Sequence, residues 1–181
     1  MICRNPVSCF EPRIKKVISL LRAIEDNLCK ANITEWMLEA LEALEDEILL
    51  YDNYSLNGIT DAARSAYCAI AVECTIKYLS VSSTNPNYFK AVEKIWLVRV
   101  HAMEPSSSRK GSLLFSDELK QWKSDFEASL LDLRARDRLT PDGSRRDALQ
   151  KVEVFMERAC ELLDPSFVES LFKLQTNQVN Q

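Results

Sequence analysis

Apolar residues recur at steps of three and four along most of the chain, and this spacing is the period of an amphipathic helix. No stretch shows the strict alternation of a half-buried strand. The pattern predicts six helices and a short seventh one, at about 12–28, 33–48, 60–79, 88–103, 117–133, 144–162 and 166–172. The sequence therefore predicts an all-α protein, a bundle or array of six to seven helices.

Several of the predicted helices begin with capping signals. Pro12 suits the first turn of the first helix, where its missing amide proton costs nothing. Asn32, followed three residues later by Glu35, forms a variant capping box for the second helix. Ser116 stands where an N-cap residue would precede the fifth helix. These residues predict where the elements start.

The third predicted helix is apolar on nearly every side. Charges interrupt it only at Arg64, Glu73 and Lys77, and its many alanines allow close approach of neighbouring helices. A helix without a polar face is normally buried by packing on several sides. We therefore expect this helix to be the centre of the fold.

Length and composition favour one domain with a substantial core. The chain has 181 residues, of which 46% are hydrophobic and 28% charged. We expect a single domain over residues 1–174 and a frayed polar tail over 175–181. No uncharged apolar run is long enough for a membrane-spanning helix. The net charge of -4 argues against a whole-domain electrostatic grip on nucleic acid.

The chain is poor in the residue types that enzymes use most. It has one histidine, His101, and three glycines, Gly58, Gly111 and Gly143, all in predicted breaks between helices. Histidine supplies most acid–base chemistry near neutral pH, and glycine-rich loops let backbone amides approach phosphates. We therefore predict no catalytic residues and no cofactor site, and interpret His101 as structural or solvent-exposed.

The six cysteines do not form a recognisable metal or redox motif. None belongs to a C-x-x-C pair, and one histidine cannot complete a C₂H₂ site. No secretory signal is recognisable at the start of the sequence. We therefore predict no metal site and expect reduced structural thiols, as in a cytosolic or nuclear protein.

An acidic stripe runs along the second predicted helix. Glu35, Glu39, Glu42 and Asp46 follow one another at steps of four, three and four, so they share one helix face. This stripe is a candidate docking face for a basic partner segment. The alternative is the solvated side of an amphipathic helix, paired within the chain with Lys15, Lys16 or Arg22.

Five arginines surround the turn before the sixth helix, but they do not predict a nucleic-acid site. Four aspartates are interleaved with them, which leaves a local charge of +5 - 4 = +1, and the turn has no aromatic residue for base stacking. Local ion pairing is the better interpretation. The arginines are Arg134, Arg136, Arg138, Arg145 and Arg146.

Two further features have a functional and a structural interpretation. Arg109-Lys110-Gly111-Ser112 resembles the target of a basophilic kinase, so Ser112 is a candidate phosphosite just before the fifth helix. Such short motifs are also frequent by chance. The three tryptophans, Trp36, Trp96 and Trp122, lie on predicted apolar faces, which favours core positions over a ligand cage.

Three stretches resemble a known family. They are Ala66–Thr75, Tyr88–Trp96 and Ser116–Trp122, and residues 146–149 and 165–169 add to the similarity. Together they are similar to the N-terminal helical region of plant telomere-repeat-binding-factor-like proteins, which carry a single Myb DNA-binding domain further along. The shared residues are mostly core positions, and no catalytic residue comes with them.

The resemblance implies a helical interaction or dimerisation domain of a DNA-associated nuclear factor. The Myb domain itself is not recognisable here, so direct sequence-specific DNA binding is not expected of this chain. A protein partner or self-association is expected, in the nucleus or, as the second choice, in the cytoplasm. The alternative class is a helical small-ligand-binding or enzymatic bundle, for which the sequence offers no convergent polar residues.

Overall fold

The computed structural model of the chain describes residues 6–48, 57–79, 85–108, 111–139 and 142–162. These ranges contain seven helices and no strand, which confirms the predicted all-α fold. The helices are α1 (Pro6–Cys29), α2 (Glu35–Ile48), α3 (Asn57–Ile76), α4 (86–103), α5 (Asp117–Leu131), α6 (Leu133–Asp137) and α7 (Ser144–Leu162). The predicted last helix near 166–172 and the domain boundary at 174 lie outside the described residues.

The third helix, α3, is the centre of the fold, as its apolar sequence predicted. Every residue from Ala66 to Ile76 is buried. Its most extensive packing is against α7, and α2, α4 and α5 cover its other sides. The helix begins at Asn57, three residues earlier than expected, so Gly58 lies in its first turn and not in a loop.

A π-helical segment that the sequence did not predict occupies the middle of α4, over Val92–Val100. The amide of His101 bonds to the carbonyl of Trp96, five residues earlier, which is the hydrogen bond of a π-helix. Each turn is wider than in an α-helix, so residues four apart lie close to one face. That face is fully buried and comprises Val92, Trp96 and Val100.

The chain breaks between α5 and α6, where the sequence pattern predicted one continuous helix. The Asp132 side chain accepts a hydrogen bond from the Arg134 amide (2.8 Å) and caps α6, while the extended backbone of Asp132 ends α5. An N-cap aspartate competes with helix continuation in this way. As a result Leu133, expected on the buried face of the fifth helix, is 61% exposed.

Two other predicted helix starts are wrong. The first helix begins at Pro6 and continues through Pro12, which therefore lies inside it. The second helix begins at Glu35, so Thr34 and not Asn32 stands at its N-cap position, and the side-chain amide of Asn32 donates to Asn27 Oδ1 (3.1 Å). The Ser116 cap is confirmed, since its hydroxyl accepts from the Leu119 amide (3.1 Å).

Ala31 closes the carboxyl end of α1 in a left-handed conformation, with φ of 49°. Its amide bonds to the Leu28 carbonyl (2.8 Å), and the next amide, of Asn32, bonds to the Asn27 carbonyl (2.9 Å). This pair of bonds is a Schellman motif, whose left-handed position favours glycine. Arg145, at the start of α7, donates to the Ala31 carbonyl (2.5 Å) and so joins the two helix ends.

The described helices include none that is long and apolar enough to cross a membrane.

The left-handed conformation of Ala31 predicts that replacement of alanine by glycine stabilises the protein at this position but destabilises it inside a helix. Ala31→Gly should raise the free energy of unfolding by about 0.5–1 kcal/mol, because glycine adopts positive φ without steric cost. The matched control is Ala128→Gly, at an exposed position inside α5. There glycine should lower the free energy of unfolding by about 0.5–1 kcal/mol. Urea denaturation measures both, and destabilisation by Ala31→Gly would contradict the left-handed cap.

Candidate functional site

The acidic stripe of Glu35, Glu39, Glu42 and Asp46 faces α4 along much of its length. At its amino end Lys94 Nζ lies 2.5 Å from Glu35 Oε2. Lys94 belongs to the π-helical segment of α4, so the pairing joins elements far apart in the sequence. The partners expected from the sequence were the basic residues of the first helix. Of these, Lys16 pairs with a different acid, Glu47 (2.7 Å).

Arg99 binds the next two carboxylates of the stripe. Its Nη2 lies 3.1 Å from Glu39 Oε1, and its Nη1 donates to both oxygens of Glu42 (3.0 and 3.1 Å). Burial lowers the pKa of Arg99, but the adjacent Glu42 and other neighbours raise it more, so the net pKa lies above its ordinary value. Arg99 therefore carries a permanent charge that holds α4 against α2.

Tyr67 completes this cluster from the central helix. Its phenol donates to Glu42 Oε1 (2.6 Å), and the ring is fully buried. Burial first, and then the hydrogen bond to Glu42, raise the pKa of the Tyr67 phenol above its ordinary value. The phenol therefore stays protonated and acts as a donor. Glu42 joins α2, α3 and α4 through its contacts with Tyr67 and Arg99.

These contacts change what the stripe can offer a partner. Four carboxylates and two cations give a local charge of -4 + 2 = -2. Asp46 is exposed, whereas Glu42 holds the fold together. Docking of a basic partner stays a prediction, and it now depends chiefly on Asp46 and the outer part of Glu39. Reversal of Glu42 to lysine would place two cations side by side and disturb the fold.

A segment that we call the strap, Gly111–Phe115, crosses the helices just before α5. Glu45 of α2 accepts hydrogen bonds from the Ser112 hydroxyl (2.7 Å) and the Leu113 amide (2.5 Å). Arg64 of α3 donates to the Leu113 carbonyl (2.6 Å). The candidate phosphosite Ser112 is thus half-buried and bound to an acid. The sequence did not reveal this, because Glu45 and Ser112 are far apart in the chain.

The strap covers a small apolar cavity and borders an open polar depression. The cavity holds about 30 Å³, roughly the volume of one water molecule in the liquid, so it is too small for an organic ligand. The depression, of about 530 Å³, lies between the starts of α3 and α5. Arg64, the cation among its described lining residues, is engaged by Asp61 (3.0 Å) and by the strap. In the described part of the chain the cavity has mostly apolar walls, whereas the depression is bordered by polar side chains, Asp61, Arg64, Ser65, Ser116, Asp117 and Glu118.

Three of the five arginines near the turn donate hydrogen bonds to backbone carbonyls in the described part of the chain. Arg145 donates to the Ala31 carbonyl (2.5 Å) at the end of α1. Arg138 donates to the Arg134 carbonyl (3.2 Å) within its own helix turn. Arg134 and Arg146 are exposed. The cluster therefore does not converge on one surface point in the described residues.

Arg136 is the one arginine of this group that is buried, with 6% of its surface exposed. Its guanidinium donates twice to the Ser129 carbonyl (2.8 and 3.1 Å) and lies over the ring of Phe89, 4.6 Å from its centroid. The Ser129 hydroxyl in turn shares a hydrogen bond of 2.6 Å with the Tyr88 phenol. This network joins α6, α5 and α4, and no signal in the sequence distinguished Arg136 from its neighbours.

His101 is exposed, as predicted, and has surface partners. Its Nδ1 lies 3.2 Å from Lys123 Nζ and 3.7 Å from Glu104 Oε2.

The core interpretation of the tryptophans holds for Trp96 and is wrong for Trp36. Trp96 is fully buried, whereas Trp36 is 38% exposed on α2.

Four of the six cysteines divide into two buried and two exposed thiols. Cys68 and Cys74 lie on α3, and burial raises the pKa of each to about 12. A thiol with such a pKa is almost entirely protonated at neutral pH and is a poor nucleophile. Cys29 and Cys160 are exposed, unlike the core positions expected from their apolar neighbours. Cys3 lies outside the described residues, and Cys9 belongs to the first part of α1.

Over the part of the chain that the structure describes, no group of three or more His, Cys, Asp or Glu side chains could hold a metal ion. The chain matches no family model, no curated protein and no solved structure. The similarity to telomere-repeat-binding-factor-like proteins is therefore an expectation from the sequence alone.

The position of Arg99 predicts that two ion pairs made by the same helix contribute very differently to the free energy of unfolding. Arg99→Met should lower the free energy of unfolding by about 2 kcal/mol, because Glu42 loses its cation in a half-buried setting. Lys94→Met removes the exposed pair with Glu35 and should cost less than about 1 kcal/mol. Urea denaturation of both variants at low and moderate salt measures this. Equal costs would contradict the anchoring role of Arg99.

The thiols predict a selective pattern of alkylation. With a pKa of about 12 in place of 9.0, Cys68 and Cys74 hold about a thousandfold less thiolate at pH 8. Iodoacetamide treatment followed by peptide mass spectrometry should modify Cys29 and Cys160 within minutes. The two α3 thiols should react only after urea is added. Comparable rates for all four cysteines in the native protein would show that α3 is accessible.

Proposed function

We propose that this chain is a non-enzymatic helical domain that binds another protein or a second copy of itself, as part of a DNA-associated nuclear factor. The binding role is supported by an exposed apolar surface on an otherwise well-packed fold. The nuclear and DNA-associated setting is supported only by the sequence resemblance. No residue is assigned a catalytic role.

The observation that carries the proposal is the exposed leucine pair, Leu131 and Leu133. They are 94% and 61% exposed, respectively, and flank the break between α5 and α6 at Asp132. The adjoining Leu130 packs against the core, so the exposed leucines stand beside a rigid element. Two large apolar side chains, exposed to water on either side of Asp132, are suited to protein contact.

Packing inside the described fold also favours protein binding over the binding of a small ligand. No buried side-chain nitrogen or oxygen atom of the described residues lacks a hydrogen-bond partner. Polar groups that bind a ligand often lack hydrogen-bond partners within the protein. Because the buried polar atoms here all have partners, the small-ligand alternative has little support. The cavity beneath the strap holds only about 30 Å³, and the larger polar depression beside it is open to solvent.

Charge supports a protein partner over DNA. The net charge is -4, and Arg136 and Arg145 are committed to backbone carbonyls. A domain that binds duplex DNA tightly needs basic surface that faces the phosphates. We therefore assign sequence-specific DNA recognition to another part of the proposed factor.

The exposed leucine pair predicts the result of a double substitution. Leu131→Gln with Leu133→Gln should weaken self-association or partner binding by at least about 100-fold, because each leucine that is buried on binding contributes roughly 1.5–3 kcal/mol. Stability should change little, since both side chains are exposed. Sedimentation velocity over a range of concentrations tests self-association, and titration calorimetry with a purified captured partner tests hetero-association.

The matched control is Val154→Gln, which changes an exposed apolar residue on α7. It should leave association unchanged. The proposal fails if the wild-type chain is monomeric at all concentrations and no purified partner binds it. It also fails if the leucine double variant and Val154→Gln bind with equal affinity to the wild type.

A further inference from the structure

The strap Gly111–Phe115 is held closed by a small number of polar contacts around Ser112. The Ser112 hydroxyl donates to Glu45 Oε2 (2.7 Å) and accepts from the Leu114 amide (3.1 Å). The Ser112 amide bonds to the Met103 carbonyl at the end of α4 (3.1 Å). One hydroxyl group thus connects the strap to α2 and fixes the position of Leu114.

The strap is closely fitted at both of its ends. A side chain at Gly111 would lie 3.0 Å from Pro105 Cδ and 3.2 Å from the Met103 carbonyl, so this position has no room for one. Leu114 is buried over the apolar cavity, whose walls include Leu41 and Ile59. If the strap opened, Leu114 would leave the core and expose these residues.

Ser112 also ends a sequence that basophilic protein kinases recognise. Arg109 stands three residues before Ser112, and Lys110 stands two residues before it. The two basic residues lie outside the described part of the chain. The serine that this spacing selects is the residue that holds the strap to Glu45.

We propose that Ser112 is a phosphorylation site and that its modification opens the strap. The γ-phosphoryl group of ATP passes to Ser112 Oγ. A new Oγ–P bond forms, the bond between the γ-phosphorus and the bridging oxygen of ADP breaks, and the hydroxyl proton leaves to solvent. In the closed strap the hydroxyl is half-buried and bound to Glu45. The kinase therefore acts on the transiently open strap.

Electrostatics then keep the modified strap open. A phosphoserine carries close to two negative charges and no hydroxyl proton, so it cannot donate to Glu45. In the closed position its oxygens would lie against the Glu45 carboxylate, and like charges at such distances repel strongly. The nearby cation Arg64 is engaged by Asp61 and the Leu113 carbonyl. This inference is independent of the proposed leucine-pair interface.

The first test is whether a basophilic kinase modifies Ser112 in the folded full chain. Cyclic-AMP-dependent kinase with ATP is the probe, and mass spectrometry locates the phosphate. A synthetic peptide of residues 105–118 shows whether the sequence itself is recognised, and Arg109→Ala should abolish modification of both. Modification of the peptide with none of the folded chain would overturn the proposal, as would the absence of modification in both.

The second test measures the strap directly in chain that carries phosphoserine at position 112. Hydrogen exchange of the Leu113, Leu114 and Phe115 amides should become faster by about tenfold or more, with exchange in the middle of α3 unchanged. Gly111→Ala should loosen the same amides without any added charge. Unchanged or slower exchange after phosphorylation, as expected if Arg64 captured the phosphate, would overturn the proposal.

A variant of Glu45 tests whether repulsion is the cause. Glu45→Gln keeps a hydrogen-bond acceptor and removes the charge, so phosphorylation should accelerate exchange much less in this variant than in the wild type. Phosphoserine at the exposed position 108 is the control for added charge and should leave the strap closed. If phosphorylation of Ser112 accelerates exchange equally with Glu45 and with Gln at this position, the repulsion mechanism is wrong.

Discussion

Burial of α3 on every side over residues 66–76 is the constraint on which the rest of this structure depends. Eleven consecutive residues, from Ala66 to Ile76, are removed from water. One neighbour could cover only one stripe of such a helix, so several helices must pack around it. The alanines of α3 allow these helices to approach closely, and α7, α2, α4 and α5 do so.

The polar side chains of α3 show how an almost wholly buried helix is tied to separate neighbours. Arg64 holds the strap, and Tyr67 reaches Glu42 of α2. Glu73 accepts from Ser144 at the start of α7 (2.6 Å), and Thr75 accepts from the Trp96 indole of α4 (2.8 Å). Each contact satisfies a group whose burial would otherwise be unfavourable. Together they fix the rotation of α3 against its surroundings.

The sequence predicted the helices and the central one, because the spacing of apolar residues records which face is buried. It missed the break at Asp132 and the π-helical part of α4, since both are decided by local hydrogen bonds that an apolar period does not encode. The candidate site was less predictable still. The partners of the acidic stripe, Lys94 and Arg99, lie more than fifty residues away, and only tertiary packing brings them near.

Native-state hydrogen exchange of α3 tests the central claim most directly. If α3 is the element on which the others pack, the amides over 66–76 should exchange only through global unfolding. Their free energies of exchange should then equal the free energy of unfolding measured by urea, and should fall with urea at the same slope. Exchange of these amides through a smaller opening, with a weaker urea dependence than global unfolding, would contradict the account.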